Sequence, residues 1–402
     1  MTGLVLTAGG ARGAYQAGVL KRLGELRAFR DRPSPFAIVS GASAGAINGA
    51  MVAAGSDNLG DATRQLATLW SRLELAQVVR ADALSLGRGA AGLLRDLALG
   101  GLLGSTVTHG LLDATPLYEF LTRSMPLAGI TDAIRRGHLY ALAVSATSYH
   151  SGRSFTFVQG RSGHPVWVKS RRVVLPVEIG PEHVCASAAI PIVFPPVRIR
   201  SAAGNLWFGD GGLRLVTPFS PAIRLGASRI FAVGIRSSRA AQTLSAEEVG
   251  LSETLASGGI PCPPLAQICG VFLNAIFLDH IDTDLDHLRR MNELIMAYGG
   301  GEKRGDGPQE PMRIIEPLVV SPSEDLAMVA QRFAHRMPRM VRYLMDGLGT
   351  PDAQSADLMS YLLFDGAYTR ALIDIGYHDT HARIDEIEDF LRDDQHATAA
   401  AG

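Results

Sequence analysis

The sequence predicts an α/β fold of three layers, with helices on both faces of a mostly parallel central sheet, followed by a helical C-terminal extension. Three observations support this fold class. Residues 3–54 give strand, glycine turn and helix twice in succession, an order that requires helical crossovers between parallel strands. Further short apolar runs lie between residues 139 and 235. Beyond residue 265 most of the pattern has helical periodicity.

The N-terminal elements are predicted from apolar runs separated by glycines. Gly3–Ala8 predicts a buried parallel strand, and apolar residues near helical spacing over Ala14–Phe29 predict the first helix. Phe36–Ser40 predicts a second strand, and Ala44–Ala54, rich in helix formers, predicts the next helix. The first apolar run is too short for an export signal, so we expect no signal peptide. We expect no transmembrane helix either, because prolines and glycines interrupt the uncharged segment that is long enough for one, residues 33–56.

The later elements follow from the same periodicities. Leu59–Leu73 predicts an amphipathic helix, and "DATPLYEFL" predicts another with Pro116 in its first turn. Long helical patterns cover Leu265–Met296 and Glu324–Leu391. The remaining predicted strands are Leu139–Ser145, Phe155–Val158, Val166–Lys169, Leu206–Phe208, Ile230–Ile235 and Arg313–Val320. We therefore expect an α/β domain over residues 1–240 and a mainly helical region over residues 241–402 packed on it.

Composition and charge exclude several classes of protein. The 402 residues are 47% hydrophobic and 19% charged, with a net charge of −1, which excludes a disordered chain and argues against nucleic-acid binding. Cys185, Cys262 and Cys269 are too few and too irregularly spaced for a disulfide framework or a zinc site. We expect a reducing, cytoplasmic location, no metal and no cofactor.

A candidate nucleophile lies between the second strand and its helix. The segment "GASAG" places Ser43 between Gly41 and Gly45 in the G-x-S-x-G pattern of a nucleophile elbow. A serine on so tight a turn takes a strained conformation, and small residues two positions away let strand and helix approach. The turn also places Ser43 at a helix N-terminus, where negative charge is stabilised.

Two other interpretations of this segment stay open. Residues 33–56 carry no charge and are long enough to span a membrane, although Pro33, Pro35 and several glycines weaken such a span. Alternatively, the segment is an ordinary buried helix rich in glycine, alanine and serine.

The loop "TAGGARGAY" after the first strand is a candidate oxyanion hole. Gly9 and Gly10 have no side chains, so their N–H groups can converge on an alkoxide beside Ser43, and one such donor is worth about 3–4 kcal/mol. We interpret Arg12 as a clamp on the loop carbonyls. Nucleotide binding is the alternative, although the loop lacks the Lys-Ser/Thr of a P-loop and Ala8 replaces the first glycine of a dinucleotide fingerprint.

A serine nucleophile needs a proton acceptor. None of the eleven histidines convincingly follows a late strand, and His183 comes closest. Asp210 directly follows a predicted strand and precedes Gly211 and Gly212, which let a carboxylate approach another backbone closely. An aspartate with the reference pKa of ~3.9 is a poor base, so Asp210 would need desolvation. A plain turn is the other interpretation of this D-G-G.

The motifs "AGGARG", "GASAG" and "DGG", in this order, resemble those of the patatin-like phospholipase family. The resemblance covers roughly Gly3–Ile235, including "CASAAIPIVFPP" and "TPFSPAIRLGASRIFAVGI", and two later segments also resemble bacterial members: "FLDHIDTDLDHLRRMNELI" and "LLFDGAYTRALIDIGYHD". It implies a Ser–Asp dyad without histidine, an oxyanion loop and hydrolysis of fatty-acyl esters. By position, Ser43 is the nucleophile, Asp210 the base and Gly9, Gly10, Ala11, Arg12 and Gly13 the oxyanion loop. Ala8 departs from the family's pattern, in which a glycine stands first.

We therefore expect an intracellular serine acyl hydrolase of lipids that contacts membranes only at their surface. Its oligomeric state is open. The apolar, glycine-rich stretch Gly87–Leu112 is a poor continuous helix, and is interpreted either as a lid or acyl-chain wall, or as a loosely packed core insertion. Three other functions stay open: an acyltransferase with the same dyad, a nucleotide-binding module, and a catalytically idle scaffold.

Overall fold

The fold is built around one large mixed sheet. This computed structural model describes residues 1–80, 112–169, 171–201, 204–237, 280–298, 313–337 and 356–399, together with residues 268 and 271. Ten strands are found in this part of the chain. They are β1 (Thr2–Leu6), β2 (Phe36–Ala42), β3 (Ala141–Ser148), β4 (Ser154–Gly160), β5 (Val168–Lys169), β6 (Arg172–Pro176), β7 (Val197–Ser201), β8 (Gly204–Gly209), β9 (Arg229–Val233) and β10 (Glu316–Val320).

The described helices follow the sequence in two groups. Those of the first group are α1 (Gly13–Gly24), α2 (Ala44–Ala54), α3 (Leu59–Ser71), α4 (Leu75–Val78), α5 (Thr115–Ser124), α6 (Ala128–Arg136), α7 (Pro181–Ser187) and α8 (Ser220–Leu225). Those of the C-terminal group are α9 (His280–Tyr298), α10 (Leu326–Arg332), α11 (Ala356–Leu362), α12 (Gly366–Ala382) and α13 (Ile384–Ala399). Among the described residues no helix combines the length and the apolar character that crossing a bilayer requires.

The sheet runs in the order β10-β9-β1-β2-β3-β4-β6-β5, and β8 pairs with β3 and β7. From β10 to β3 every neighbouring pair is parallel, whereas β4 and β8 run antiparallel to β3. The predicted fold class, a mostly parallel sheet between helical layers with C-terminal helices, is confirmed. The division into two domains near residue 240 stays a prediction. Strand β10 lies beyond residue 240 and pairs with β9, so the sheet extends into the region expected to be mainly helical.

Side chains alternate between the two faces of the sheet. On β1, Leu4 and Leu6 join the larger hydrophobic cluster, while Val5 joins the smaller one on the opposite face. This period of two is what a strand buried on both faces requires, and it explains why the central strands are apolar at nearly every position. Helices α1, α2 and α3 cover the first face, and α8 and α9 cover the second.

The C-terminal helix α12 packs closely against α1. A Cβ at Gly18 would collide with the backbone of Ile373, and one at Gly376 would collide with the carbonyl of Tyr15. The Tyr15 hydroxyl also donates to Asp379 Oδ2 at 3.1 Å. Two glycines therefore bring these helices to backbone contact, and α1 begins directly after the oxyanion-loop candidate.

The predicted element boundaries are close, with some corrections. Strand β2 and helix α2 lie within residues 33–56, the uncharged segment that is long enough to span a membrane. Because this segment forms a strand, a turn and a short helix, the interpretation as a membrane span is excluded. Helix α1 ends at Gly24 rather than Phe29, because the chain continues in turns. Strands β6 and β7 were not predicted. The candidate lid over residues 87–112 lies outside the described residues except for Leu112.

Candidate active site

Ser43 occupies a strained turn between β2 and α2. Its φ of 55° and ψ of −127° are unusual for a residue with a side chain, which is the backbone strain expected at a nucleophile elbow. Ser43 is the N-cap residue of α2, and its carbonyl accepts from the N–H of Ala46 at 2.9 Å. The partial positive charge of the helix N-terminus therefore lies beside the Ser43 hydroxyl.

The glycines on either side of Ser43 are required by close backbone contacts. A Cβ at Gly41 would collide with the carbonyl of Gly45, and a Cβ at Gly45 would collide with the carbonyl of Leu6 at the end of β1. The elbow therefore brings β1, β2 and α2 closer together than any larger residue allows. Small residues were expected at these two positions because strand and helix approach closely there, and the contacts agree with that expectation.

A serine that sequence reasoning missed fixes the elbow to β3. The N–H of Ser43 donates to Ser187 Oγ at 2.9 Å, and the Ser187 hydroxyl donates to the carbonyl of Ser145 at 2.5 Å. Ser187 lies in "CASAAIP", a segment quoted above only for its resemblance. Its spacing from Ser43 carries no local signal, because the two residues are 144 positions apart.

Asp210 follows β8 and is fully buried. Its N–H donates to the carbonyl of Ala189 at 2.9 Å, and its carbonyl accepts from Thr147 Oγ1 at 2.8 Å. Its Oδ1 accepts from the N–H of Gly212 at 2.8 Å, and a Cβ at Gly211 would collide with the carbonyl of Ser145. The two glycines thus orient the carboxylate and let it approach β3.

The environment of Asp210 changes its acidity. Burial raises the pKa of Asp210 to about 7, while hydrogen bonding by the Ser43 hydroxyl and by the N–H of Gly212 opposes that rise. Oδ2 of Asp210 nevertheless has no well-formed hydrogen bond to another described residue. The contact with Ser43 is therefore loose, as is usual for a catalytic hydrogen bond before substrate binds. The structure brings Ser43 and Asp210 together.

The glycine loop contributes fewer free N–H groups than its five residues suggest. Gly10 has a φ of 53° and lines the same cleft as Ser43. The N–H of Arg12 donates to the carbonyl of Gly9 at 3.1 Å, and the N–H of Gly13 donates to the carbonyls of Gly10 and Ala11. Because the turn itself uses these two N–H groups, the candidate donors to an oxyanion are those of Gly9, Gly10 and Ala11.

Buried amides hold this loop in place. Gln16 Nε2 donates to the carbonyl of Thr7 at 2.9 Å, and Asn48 Nδ2 donates to the carbonyl of Gly13 at 3.0 Å and to Gln16 Oε1 at 2.9 Å. Asn48 Oδ1 accepts from Trp70 Nε1 at 2.7 Å. The network links the loop to α2 and α3, and satisfied buried networks of this kind make a site rigid.

Arg12 does not bind the loop carbonyls, so its predicted role as a clamp on them is wrong. Its Nε donates to Ser360 Oγ at 2.7 Å and its Nη2 to Asp357 Oδ1 at 2.8 Å. The guanidinium carbon also lies 4.3 Å from the centre of the Tyr361 ring. The carbonyl oxygen of Tyr361 packs so closely against Gly10 that a Cβ at this position would collide with it. Arg12 therefore connects the loop to α11 of the C-terminal region.

An apolar cleft opens onto Ser43. Its cavity volume is about 30 Å³, within about 470 Å³ of space not filled by atoms that includes open solvent. Its walls come from the elbow and glycine loop, from helices α2 to α5, and from loops after α7 and α11. The lining residues are Gly10, Ser43, Ala44, Ile47, Leu69, Trp70, Leu73, Val78, Leu117, Phe120, Leu121, Ala188, Ile190, Phe194 and Phe364. We call it the acyl cleft, because its lining is apolar, as a hydrocarbon chain requires.

His183 takes no part in this arrangement. Its Nδ1 accepts from the N–H of Gly180 at 3.0 Å, its ring packs edge-on against Phe157, and burial lowers its pKa. It is a buried residue that caps α7. Within the described residues no histidine lines the acyl cleft, and no group of three or more metal-ligating side chains is found.

The comparisons with known proteins agree with the predicted resemblance. The model of the family described as patatin-like phospholipase matches residues 4–223, which is more than half of the 402 residues. The match contains the glycine loop, the elbow and Asp210. No curated protein sequence matches this chain.

Three solved structures resemble the chain at low sequence identity. VipD from Legionella pneumophila is 15% identical with a TM-score of 0.30, over 93% of this chain and 66% of VipD. Full-length ExoU in complex with full-length SpcU, from the type III secretion system of Pseudomonas aeruginosa, is 19% identical with a TM-score of 0.24, over 41% of this chain and 35% of ExoU. A second structure of the type III effector ExoU is 16% identical with a TM-score of 0.26, over 60% of this chain and 44% of ExoU. This chain thus spans less than two thirds of each of these proteins.

Proposed function

This chain belongs to the patatin-like phospholipase family, and we propose that it cleaves fatty-acyl esters of lipids with Ser43 as the nucleophile and Asp210 as the base. One observation carries the proposal. A strained serine at a helix N-terminus lies beside a fully buried carboxylate whose pKa burial has raised to about 7. A base with a pKa near the working pH is the most effective kind, because it is ionised and still has a high affinity for a proton.

In the proposed first step, Asp210 accepts the hydroxyl proton of Ser43 while Ser43 Oγ attacks the acyl carbonyl carbon. The oxyanion that forms is stabilised by N–H groups of the loop at Gly9, Gly10 and Ala11 and by the N-terminus of α2. Asp210 then returns the proton to the leaving alcohol as the ester C–O bond breaks. In the second step, water donates a proton to Asp210 and attacks the acyl carbonyl carbon. The bond from that carbon to Ser43 Oγ then breaks, Asp210 returns the proton to Ser43 Oγ, and the fatty acid leaves.

The acyl cleft supports a hydrocarbon substrate. Apart from Ser43, its described lining is almost wholly apolar and carries no charged side chain, which favours a fatty-acyl chain over a phosphate or a nucleotide. The ester bond would lie at Ser43 with the chain extending past Leu73 and Leu117. We therefore propose a phospholipase, lysophospholipase or lipid-esterase activity, exerted on lipids reached at the surface of a membrane or micelle.

Covalent labelling tests the nucleophile. A fluorophosphonate probe is expected to label the wild-type protein and to fail on Ser43→Ala, with Asp210→Ala labelled much more slowly. Ser40→Ala is the matched control, because Ser40 is also a buried serine, lies on β2 three residues before Ser43, and its Oγ has no described hydrogen-bond partner. Labelling that survives Ser43→Ala, monitored by intact-protein mass spectrometry, contradicts the proposal.

The pH dependence of turnover tests the base. Because Asp210 must be ionised to accept a proton, kcat/KM for a soluble short-chain p-nitrophenyl ester is expected to rise with pH and level off, with a midpoint near the pKa of about 7. The measurement is a steady-state profile corrected for spontaneous hydrolysis of the ester. A flat profile above about pH 5 would mean that no carboxyl with a raised pKa controls the reaction.

A further inference from the structure

A second residue shares the strained backbone of Ser43. Among the described residues, Ser43 with a φ of 55° and Ile192 with a φ of 70° are the two that hold a side chain in the left-handed region. A β-branched residue is an outlier there, because its Cβ crowds the following carbonyl oxygen. Such strain persists only where the surrounding structure fixes it, and it clusters at functional sites. Ile192 therefore needs a functional explanation.

Ile192 is the tip of a turn at the edge of the acyl cleft. The N–H of Phe194 donates to the carbonyl of Ile190 at 2.8 Å and closes this turn over residues 190–194, which we call the rim turn. Ile190 and Phe194, at its two ends, are buried and line the acyl cleft. Ile192 is 68% exposed. The rim turn therefore has its base in the wall of the cleft and its apolar tip in solvent.

Helix α5 has the same arrangement in another wall of the cleft. Leu117 and Leu121 are buried and line the acyl cleft, whereas Tyr118 is 44% exposed. A tyrosine has an apolar ring and a polar hydroxyl, and this combination suits the boundary between the acyl chains and the headgroups of a bilayer. Two walls of the acyl cleft thus each present an apolar side chain to solvent.

The chain around the rim turn is basic. Residues 184–209 contain no aspartate or glutamate, and their charged residues are Arg198 and Arg200 of β7. Both arginines are exposed, whereas Ile199 between them is buried, so the two lie on the outward face of the strand. Trp207 of β8 is paired with Arg198 and lies on the same face. Cations and an indole ring on one face are typical of a surface that contacts an anionic membrane.

An exposed isoleucine at a positive φ does not stabilise the fold in water. Ile192 buries little apolar surface, and asparagine or glycine adopts this φ with less strain. An apolar environment outside the chain reverses this balance, because the side chain then leaves water. The acyl cleft is proposed to take its substrate from a lipid surface, and the rim turn lies at the edge of that cleft. A lipid surface is therefore the environment that Ile192 fits.

We propose that the rim turn docks this chain on the surface of an anionic lipid bilayer. The side chains of Ile192 and Tyr118 insert at the boundary between acyl chains and headgroups, and Arg198 and Arg200 face the headgroups. The edge of the acyl cleft then faces the bilayer, so an acyl chain enters the cleft without crossing bulk water. The proposal rests on the proposed hydrolysis of lipid esters and names the surface by which that site meets its substrate.

Binding to vesicles that cannot be hydrolysed tests the docking surface. The wild type is expected to co-sediment with vesicles of diether phosphatidylcholine and diether phosphatidylglycerol, and Ile192→Asn is expected to raise the dissociation constant about tenfold. Ile192→Leu keeps an apolar tip and should stay within about twofold of the wild type. The matched control is Val168→Asn, because Val168 is also 68% exposed but lies on β5 at the far edge of the sheet and does not line the acyl cleft.

Thermal melting separates docking from folding. Because asparagine tolerates a positive φ, Ile192→Asn is expected to melt about 2 °C or more above the wild type while it binds the vesicles more weakly. A melting temperature below that of the wild type would mean that the isoleucine supports the fold. The comparison then passes to Tyr118→Ser on α5, which is expected to raise the dissociation constant about threefold.

Several outcomes would overturn the docking surface. They are vesicle binding unchanged in Ile192→Asn, an equal loss in Val168→Asn, and equal binding of the wild type to vesicles that lack phosphatidylglycerol. A wild-type dimer that Ile192→Asn converts into a monomer in analytical ultracentrifugation would also overturn it, since the rim turn would then join two copies of this chain. If the wild type hydrolyses no ester at all, the proposed reaction fails, and binding to the diether vesicles still decides the docking surface.

Discussion

Asp210→Asn is expected to lower kcat for ester hydrolysis by about 10³–10⁴-fold and, at the same time, to make the protein more stable at pH 8. The amide has the shape of the carboxylate and can still accept the N–H of Gly212, but it cannot take a proton from Ser43. Activity is therefore lost through chemistry rather than through unfolding. Steady-state kinetics on a p-nitrophenyl ester, together with thermal melting of both proteins, measure the two effects.

The gain in stability follows from the sign of the pKa change. The pKa of Asp210 rises from 3.8 to about 7 on folding, so the folded state favours the protonated carboxyl. The stability that the protonated carboxyl contributes is fully present below the pKa of the unfolded state and is lost as pH rises through the pKa of the folded state. Above about pH 7 this loss lowers the free energy of unfolding by roughly 4 kcal/mol. Asparagine is neutral at every pH and avoids this loss. The variant should therefore exceed the wild type in melting temperature by more at pH 8 than at pH 5.

An exposed aspartate supplies the control. Asp132→Asn on α6 removes a charge from a solvent-exposed ion pair with Arg135, and both activity and the pH dependence of melting should stay close to the wild type. If Asp210→Asn melts at the same temperature as the wild type at both pH values, the carboxylate is not desolvated as described. If it retains activity within about tenfold, Asp210 is not the base.

The parts of the site that could be predicted from sequence are those with a local signature. Gly41 and Gly45 flank Ser43 within five residues, and the strand and helix on either side are recognisable from their own composition. Asp210 was found in the same way, from a strand end followed by two glycines. The antiparallel direction of its strand β8 was not predicted, because strand pairing depends on residues far apart in the chain.

The contacts that could not be predicted from sequence join residues that are far apart in the chain. Ser187 holds the elbow over 144 positions, and Arg12 reaches Asp357 over 345 positions. Such contacts are set by how the layers pack, and no periodicity or turn signal marks them. The acyl cleft was missed for the same reason: its walls come from four helices and from several loops, and residues such as Leu73 and Phe364 look like ordinary core positions in the sequence.

Arg12→Met is expected to lower kcat by about 10- to 100-fold with little change in KM, because the oxyanion loop loses its anchor on α11. The guanidinium binds Asp357 and Ser360 and stacks on Tyr361. The carbonyl oxygen of Tyr361 in turn packs against Gly10. Arg12 does not line the acyl cleft, so we assign it a positioning role, and its loss should displace the N–H groups near Gly10 rather than weaken binding of the acyl chain. Arg12→Lys should not restore kcat, because an ammonium cannot donate to both partners in the planar geometry of a guanidinium.

The effect of Arg12 on the position of the glycine loop must be distinguished from its effect on the stability of the fold. Removing one member of a fully buried ion pair costs about 3–5 kcal/mol. Because Asp357 is 37% exposed, Arg12→Met should lower the stability by less than this, but it will still lower the melting temperature. Arg22→Met is the matched control, since Arg22 lies on α1, contacts His381 of the C-terminal region and is only half-buried. The variant Ser360→Ala removes the bond from Arg12 Nε and the bond from Ser360 Oγ to the carbonyl of Asp357, leaves the ion pair of Arg12 with Asp357, and should lower kcat with a smaller loss of stability. If Arg12→Met and Ser360→Ala lower the melting temperature but leave kcat at the wild-type value, α11 stabilises the fold without positioning the loop, and the link between the C-terminal region and the site is structural alone.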